Sequence, residues 1–284
     1  MLIVSISVVM PQVTKQWNVE RAGLITASLY TGSLVGAVLC GYFLDIIGRK
    51  LVWQGSLFVV NMFTLIAAGS PNFTALAIFI GFQTIGAGGN IAIDLTVFVE
   101  CLPRRKAWLM TALALWWGVG NAVGGLMAWP LIVEFSCAPD ATPATCSSNQ
   151  NMGWRYQYIV IGGICLVMAC IRVFFMKMEE SPKWLVSHGD FEGGVAALRE
   201  IARMNKKEVS LTVDDFRPLA SVFLDSDSKS KYAQLGHIKA LFSTKKLAIS
   251  TTAISILWMC IGIAYPLFTL FLPYYLQSHG AKRG

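Results

Sequence analysis

Few side chains in this chain could do chemistry, and their spacing points to binding and switching rather than to bond breaking. Asp94 is an acid at the end of a run of 43 residues without Asp, Glu, Lys or Arg. An acid in so apolar a stretch is costly, which makes it a functional candidate that could carry a proton or hold a cationic group. Gln83, Gly86, Asn90 and Asp94 recur at steps of three and four, so they share one stripe of a helix. Trp117 and Asn121 stand one turn apart and could stack on and hydrogen-bond a solute; plain packing is the alternative. Tyr265-Pro266 interrupts a further apolar run, and such breaks often border a transport cavity, so Tyr265 is a candidate gate. Cys137 and Cys146 lie together and could close a loop in an oxidising space. The sequence holds no nucleophile–base–acid set, no phosphate loop and no metal cluster. No catalytic residue, metal or cofactor is therefore expected, and no enzyme.

The elements that position these residues follow from composition. The chain has 284 residues, of which 55% are hydrophobic and only 14% charged. Soluble domains carry about 25% charged residues. A monomeric soluble globule would lack the polar surface to cover such a core. The formal net charge of +7 invites a nucleic-acid partner, but the charges sit between long uncharged runs, as in membrane spans with basic loops. The lipid bilayer is the expected partner, and no nucleic acid. Helices are expected at about 22–44, 51–69, 73–99, 107–133, 154–176 and 247–275. Each is long enough to cross about 30 Å of hydrocarbon at about 1.5 Å per residue. Residues 1–10 are apolar but cover only half a bilayer, and read as the second half of a helix whose start is missing. The expected fold class is an all-α membrane bundle.

Lys and Arg near the span ends set the orientation. Arg49, Lys50, Arg104, Arg105, Lys106, Arg172, Lys177, Lys183, Lys239, Lys245 and Lys246 fall on one side, expected to be cytoplasmic. Lys15, Arg21, Arg155, Lys282 and Arg283 fall on the other. The loop 134–153 with its two cysteines is then external, as is the glycosylation-type triplet Asn72-Phe73-Thr74. The segment 177–246 is the long soluble stretch, with a short amphipathic helix within 189–205 and a polar linker around 225–231. His188, His237 and His279 read as isolated loop residues.

The connection Gly41-x3-Asp45-x2-Gly48-Arg49-Lys50 has its own logic. Gly41 lets another helix approach, and Gly48 permits a tight turn. Asp45 and Arg49 are one helical turn apart and can pair, or face helix ends of opposite sign. The stretch resembles the cytoplasmic loop signature of the major facilitator superfamily, with Ile46 where a basic residue is usual. Gly86-Ala87-Gly88-Gly89-Asn90-x3-Asp94, leading to Glu100-x2-Pro103-Arg104-Arg105, resembles helix 4 of that superfamily's sugar-porter and synaptic-vesicle-glycoprotein-like branches. Glu180-Ser181-Pro182-Lys183-Trp184-Leu185 resembles the signature after helix 6. Phe82-Gln83 stand where sugar porters have an Arg, which favours the synaptic-vesicle-like, organic-solute branch.

The resemblance implies a secondary transporter of a small organic solute working by alternating access, with protons as candidate coupling ions, in the plasma membrane. It implies a switch network of Gly41, Asp45, Gly48, Arg49, Lys50, Glu100, Arg104, Arg105 and Glu180. It also implies two six-helix halves with the solute between them, lined here by Gln83, Asn90, Asp94, Trp117, Asn121 and Tyr265. On that scheme 1–176 is the first half with its first helix truncated, 177–246 is the connecting loop, and 247–284 opens the second half. Helices 8 to 12 would be missing, so the chain is expected to be a fragment that does not transport alone. A non-transporting sensor or scaffold with the same fold is the alternative reading.

Overall fold

The computed structural model describes residues 2–17, 23–102, 106–138, 141–175, 180–207, 210–216, 242–268 and 275. Every long element among them is a helix. These are α1 (Leu2–Gln16), α2 (Gly23–Ile47), α3 (Arg49–Ala68), α4 (Phe73–Cys101), α5 (Trp108–Phe135) and α6 (Gly153–Phe174), followed by short α7 (Pro182–Ser187), α8 (Phe191–Met204) and long α9 (Lys245–Pro266). Six of them, α2 to α6 and α9, are long and apolar enough to cross a membrane. Helices are the natural outcome of such runs, because a helix satisfies its own backbone where no water can.

One boundary differs from expectation. α1 runs to Gln16 through Pro11, past the stretch 1–10. The missing Pro N–H costs one backbone bond, and burial of Val9, Met10 and Val13 on either side offsets it. Regular α9 runs to Pro266 and helical backbone continues through residues 267 and 268, while residues 269–274 lie outside the described set.

Side-chain size decides which helices meet. α2 lies flat on α4 because both present small residues. A Cβ added at Gly32 would collide with Gly81 O and Thr84 Oγ1, and one at Gly36 would stand 2.6 Å from the Ile85 carbonyl carbon. Gly88 meets Ser33, and Gly89 meets Cys40, from the other side of the same seam. On its opposite face α4 uses Gly86, whose added Cβ would be 2.7 Å from Ser56 O of α3. The glycines of the 86–89 motif thus serve packing on two sides. α3 in turn packs on α6, α6 on α5, and α1 on α5 and α6.

The core is concentrated near one end of the bundle. Ile6, Val9 and Val13 of α1, Ile25 and Leu29 of α2, Leu76 and Ile80 of α4, and Trp154 and Tyr158 of α6 form one cluster. We call this the disulfide end, because Cys137 and Cys146 are bonded to each other beside it. Towards the other, basic end the core shrinks to Leu44, Trp53 and Ile93. Outward faces keep large apolar side chains such as Leu34, Leu115 and Trp129 exposed. A soluble protein would hide them; a lipid-facing surface need not.

Outside the spans, α8 buries Val195, Ala197 and Ala202. It begins with Asp190 accepting the Gly193 N–H at 2.8 Å, an ordinary side-chain cap. α7 packs on α8. His188 lies in the exposed turn that follows α7, as expected, but it is not isolated there, since its ring is 4.2 Å from that of Trp184. His237 and His279 lie outside the described residues, as do Lys239 and the linker around 225–231.

Candidate functional site

At the basic end, the turn between α2 and α3 needs Gly48, whose φ of +102° suits few other residues. The turn leaves the first N–H groups of α3 without helical partners. Glu180 supplies the missing acceptor. Its Oε1 takes the Arg49 N–H at 2.6 Å and its Oε2 takes the Lys50 N–H at 3.2 Å. Oε1 also accepts the N–H of Ser181 at 3.3 Å. An anion at a helix N-terminus is favoured by the aligned peptide dipoles. Asp45 and Arg49 approach to 4.0 Å, with Asp45 largely exposed and Arg49 largely buried. The indole N–H of Trp184 donates to the Asp45 carbonyl at 3.2 Å, tying α7 to the last turn of α2. One carboxylate thus bridges two segments 130 residues apart in sequence.

Not every expected member joins this cluster. Among the described residues nothing lies within 4 Å of a Cβ added at Gly41. The small-residue seam of α2 runs along Gly32 and Gly36, and Gly41 is five residues further on, off that face. Glu100 lies in the last turn of α4 with its side chain outside the described set, and Arg104 and Arg105 are outside it altogether.

Between α3, α4, α5 and α6 lies a cavity of about 350 Å³. Asn90, Trp117 and Asn121 line it, as their spacing suggested. Asn61, Trp116 and Arg172 line it as well, which sequence reading missed. Asp94 stands behind Arg172. Its Oδ1 accepts the Trp53 indole N–H at 2.8 Å and the Arg172 Nη2 at 3.2 Å. The guanidinium lies 4.4 Å from the centre of the Trp53 ring, a cation–π contact. Arg172 is therefore not only a basic anchor at a span end. A charge four residues inside an apolar run was the signal that could have found it. Asn90 reaches Ser56 Oγ only at 3.5 Å. Asn61 donates to the Leu57 carbonyl at 2.8 Å, and its Oδ1 has no partner among the described residues.

Gln83 does not line the cavity. It is 1% exposed, and neither amide atom has a partner among the described residues. Its stripe is the right one, but two turns before Asn90 the helices have converged, with neighbouring Ile80 and Thr84 also buried. Tyr265 does not line the cavity either. It is the next-to-last residue of α9.

At the disulfide end a second polar cluster closes the bundle. Arg155 donates to the Ala68 carbonyl at 2.8 Å and the Ser70 carbonyl at 2.9 Å, where α3 ends. Its guanidinium lies 4.5 Å from the ring centre of Trp154. The Trp154 indole and Asn151 both donate to Gln16 Oε1, at 3.0 and 3.4 Å. Gln16 donates onward to Ser148 Oγ at 3.2 Å. Asn72, first residue of the glycosylation-type triplet, caps α4 by accepting the Ala75 N–H at 2.8 Å.

Comparison with known proteins agrees with this architecture. The major facilitator-type transporter hxnZ of Emericella nidulans is 36% identical over 96% of this chain and 52% of its own length. The MFS siderochrome iron transporter 1 of Ceriporiopsis subvermispora is 37% identical over 92% of this chain and 51% of its own. A 4-hydroxybenzoate transporter, PcaK of Acinetobacter baylyi, is 29% identical over 63% of this chain and 36% of its own. The chain spans about half the length of the first two relatives. The sequence pattern of the Major Facilitator Superfamily matches residues 1–283, and with these bundled helices the chain belongs to that family.

Proposed function

We propose that this chain takes part in secondary transport of a small organic solute by alternating access. The observation that carries the reading is Glu180. A single carboxylate holds the start of α3 and the segment leading to α7 through backbone N–H groups, so the contact can open without unfolding either element. Such contacts suit a carrier that closes one side while it opens the other. The cavity supports the same reading, being largely apolar with a few placed amides and one cation. The named relatives carry siderochrome iron and 4-hydroxybenzoate, which fits an organic solute and offers no support for a sugar.

Three further assignments belong to this proposal. Residues 1–176 act as one half of the carrier, 177–246 as the connecting loop, and the second half begins with α9. Asp94, paired with Arg172 and Trp53, is the candidate proton-coupling acid of a symporter. The plasma membrane is the proposed location, with Cys137 and Cys146 outside.

The test is uptake by the native full-length protein expressed in cells lacking related carriers, screened against small organic acids, amides and amines at two pH values. Saturable uptake is expected, and Asp94→Asn should abolish its pH dependence. Saturable uptake with an unchanged pH profile in that variant would remove Asp94 from coupling. Uptake of none of these solutes by a folded, membrane-inserted protein would favour a sensor or scaffold.

A further inference from the structure

The ion pair beside the cavity is lopsided. Arg172 meets Asp94 through Nη2 alone, and Asp94 answers with Oδ1, which it shares with the Trp53 indole. Among the described residues Arg172 makes no other hydrogen bond or ion pair. Its Nε and Nη1 donors are thus unspent, on a side chain that is 37% exposed and lines the cavity. A guanidinium is built to present two parallel N–H groups to one carboxylate, and a single-point contact leaves much of that capacity unused.

The remaining wall limits what can arrive. Among the described residues Arg172 is the sole charged one lining the cavity; Asp94 is not part of the lining. An organic cation would meet the guanidinium first. A neutral solute would leave its donors unpaired on closure, at a cost. Trp116 and Trp117 offer aromatic faces, while Asn61 and Asn121 offer amides.

We propose that Arg172 is the specificity residue of this cavity, and that the cavity takes an organic anion, its carboxylate seated on the free N–H groups of Arg172. The proposal rests on the transport reading and names its substrate class. Asp94 and Trp53 hold the guanidinium in place when the cavity is empty. On binding, the solute carboxylate occupies Nη1 and Nε, or displaces Asp94 from Nη2 while Trp53 retains Asp94. No bond is made or broken.

The test is equilibrium binding to the purified full-length protein in lipid nanodiscs, read by tryptophan fluorescence. The probes are benzoate, neutral benzamide and cationic benzylamine, which share a ring and differ in charge. Benzoate is expected to bind at least about tenfold more tightly than either of the others. Arg172→Lys keeps the charge and loses the fork, and should weaken benzoate by about tenfold. Arg172→Gln should erase the preference for benzoate and leave benzamide binding unchanged. If that variant does not fold with Asp94 unpaired, the Asp94→Asn/Arg172→Gln double variant removes both charges and must show the same loss. Equal binding of the three probes, no binding of benzoate, or an unchanged affinity in Arg172→Lys would overturn the proposal. Uptake separates it from the carrier reading. Transport of a neutral or cationic solute that ignores Arg172→Lys would sink this inference alone. Arg172-dependent benzoate binding without uptake would support it and sink the carrier reading alone.

Discussion

Glu180 and Arg155 do the same electrostatic job at opposite ends of α3, with opposite signs. Glu180 satisfies N–H groups at the start of the helix, and Arg155 satisfies the Ala68 carbonyl at its close. Each charge opposes the partial charge of the end it meets. Their surroundings differ. Arg155 is pressed on a fully buried tryptophan, and that tryptophan is bonded to Gln16 of α1, which is bonded to the loop past Cys146. Four segments would have to part together. Glu180 precedes a six-residue helix that rests on α8 and is tied to α2 by the Trp184 indole bond. The lesson is that identical local chemistry can make a fixed joint or a releasable one, according to how many other contacts must break with it.

Four perturbations sharpen the contrast. Arg155→Ala should cost the most, about 3 kcal/mol, because it strips charged donors from two carbonyls beside a buried core. Thermal unfolding in detergent reads this; a loss under about 1 kcal/mol would mean the disulfide end is no firmer than the other. Reducing the Cys137–Cys146 bond, which closes a loop with a sequence separation of 9, should lower stability by about 2–3 kcal/mol. The same scan with and without reductant checks it, and an unchanged midpoint would show that the polar cluster alone holds that end.

Glu180→Gln should cost only about 1 kcal/mol, since an amide oxygen still accepts one N–H. Its larger effect should be on opening. In detergent-solubilised protein, a cysteine placed at Lys50 should react faster with a maleimide in the Gln variant, and equal rates would make Glu180 a static cap. Asp45→Asn should do least, about 0.5 kcal/mol or below, because the carboxylate is 66% exposed and 4.0 Å from Arg49. A loss of several kcal/mol would show that Asp45 has a partner beyond Arg49.

Much of this was legible in the residues themselves. The uncharged runs foretold five of the six long spans to within a few residues, since a span must be apolar along its whole length. The Gly41–Lys50 signature located the turn at Gly48, where positive φ limits the residue. The step of three and four along α4 found Asn90 beside Trp117 and Asn121, and wrongly added Gln83. Periodicity reports which face a residue shares, not how far along that face the neighbouring helices stay apart.

Composition and spacing alone determined that this chain is a bundle of membrane-spanning helices, which ends are basic, and which few polar residues sit within apolar stretches. These are local properties, written in hydropathy and in the backbone limits of Gly and Pro. Only the tertiary structure decided the partners. Asp94 pairs with Arg172, 78 residues away. Glu180 finds α3 across 131 residues, and Arg155 finds its far end across 87. Such pairings depend on which helices lie side by side, and that is settled by small residues meeting across seams such as Gly32–Gly81 and Gly86–Ser56. A charge in the sequence states what it could bind. Packing states what is within reach.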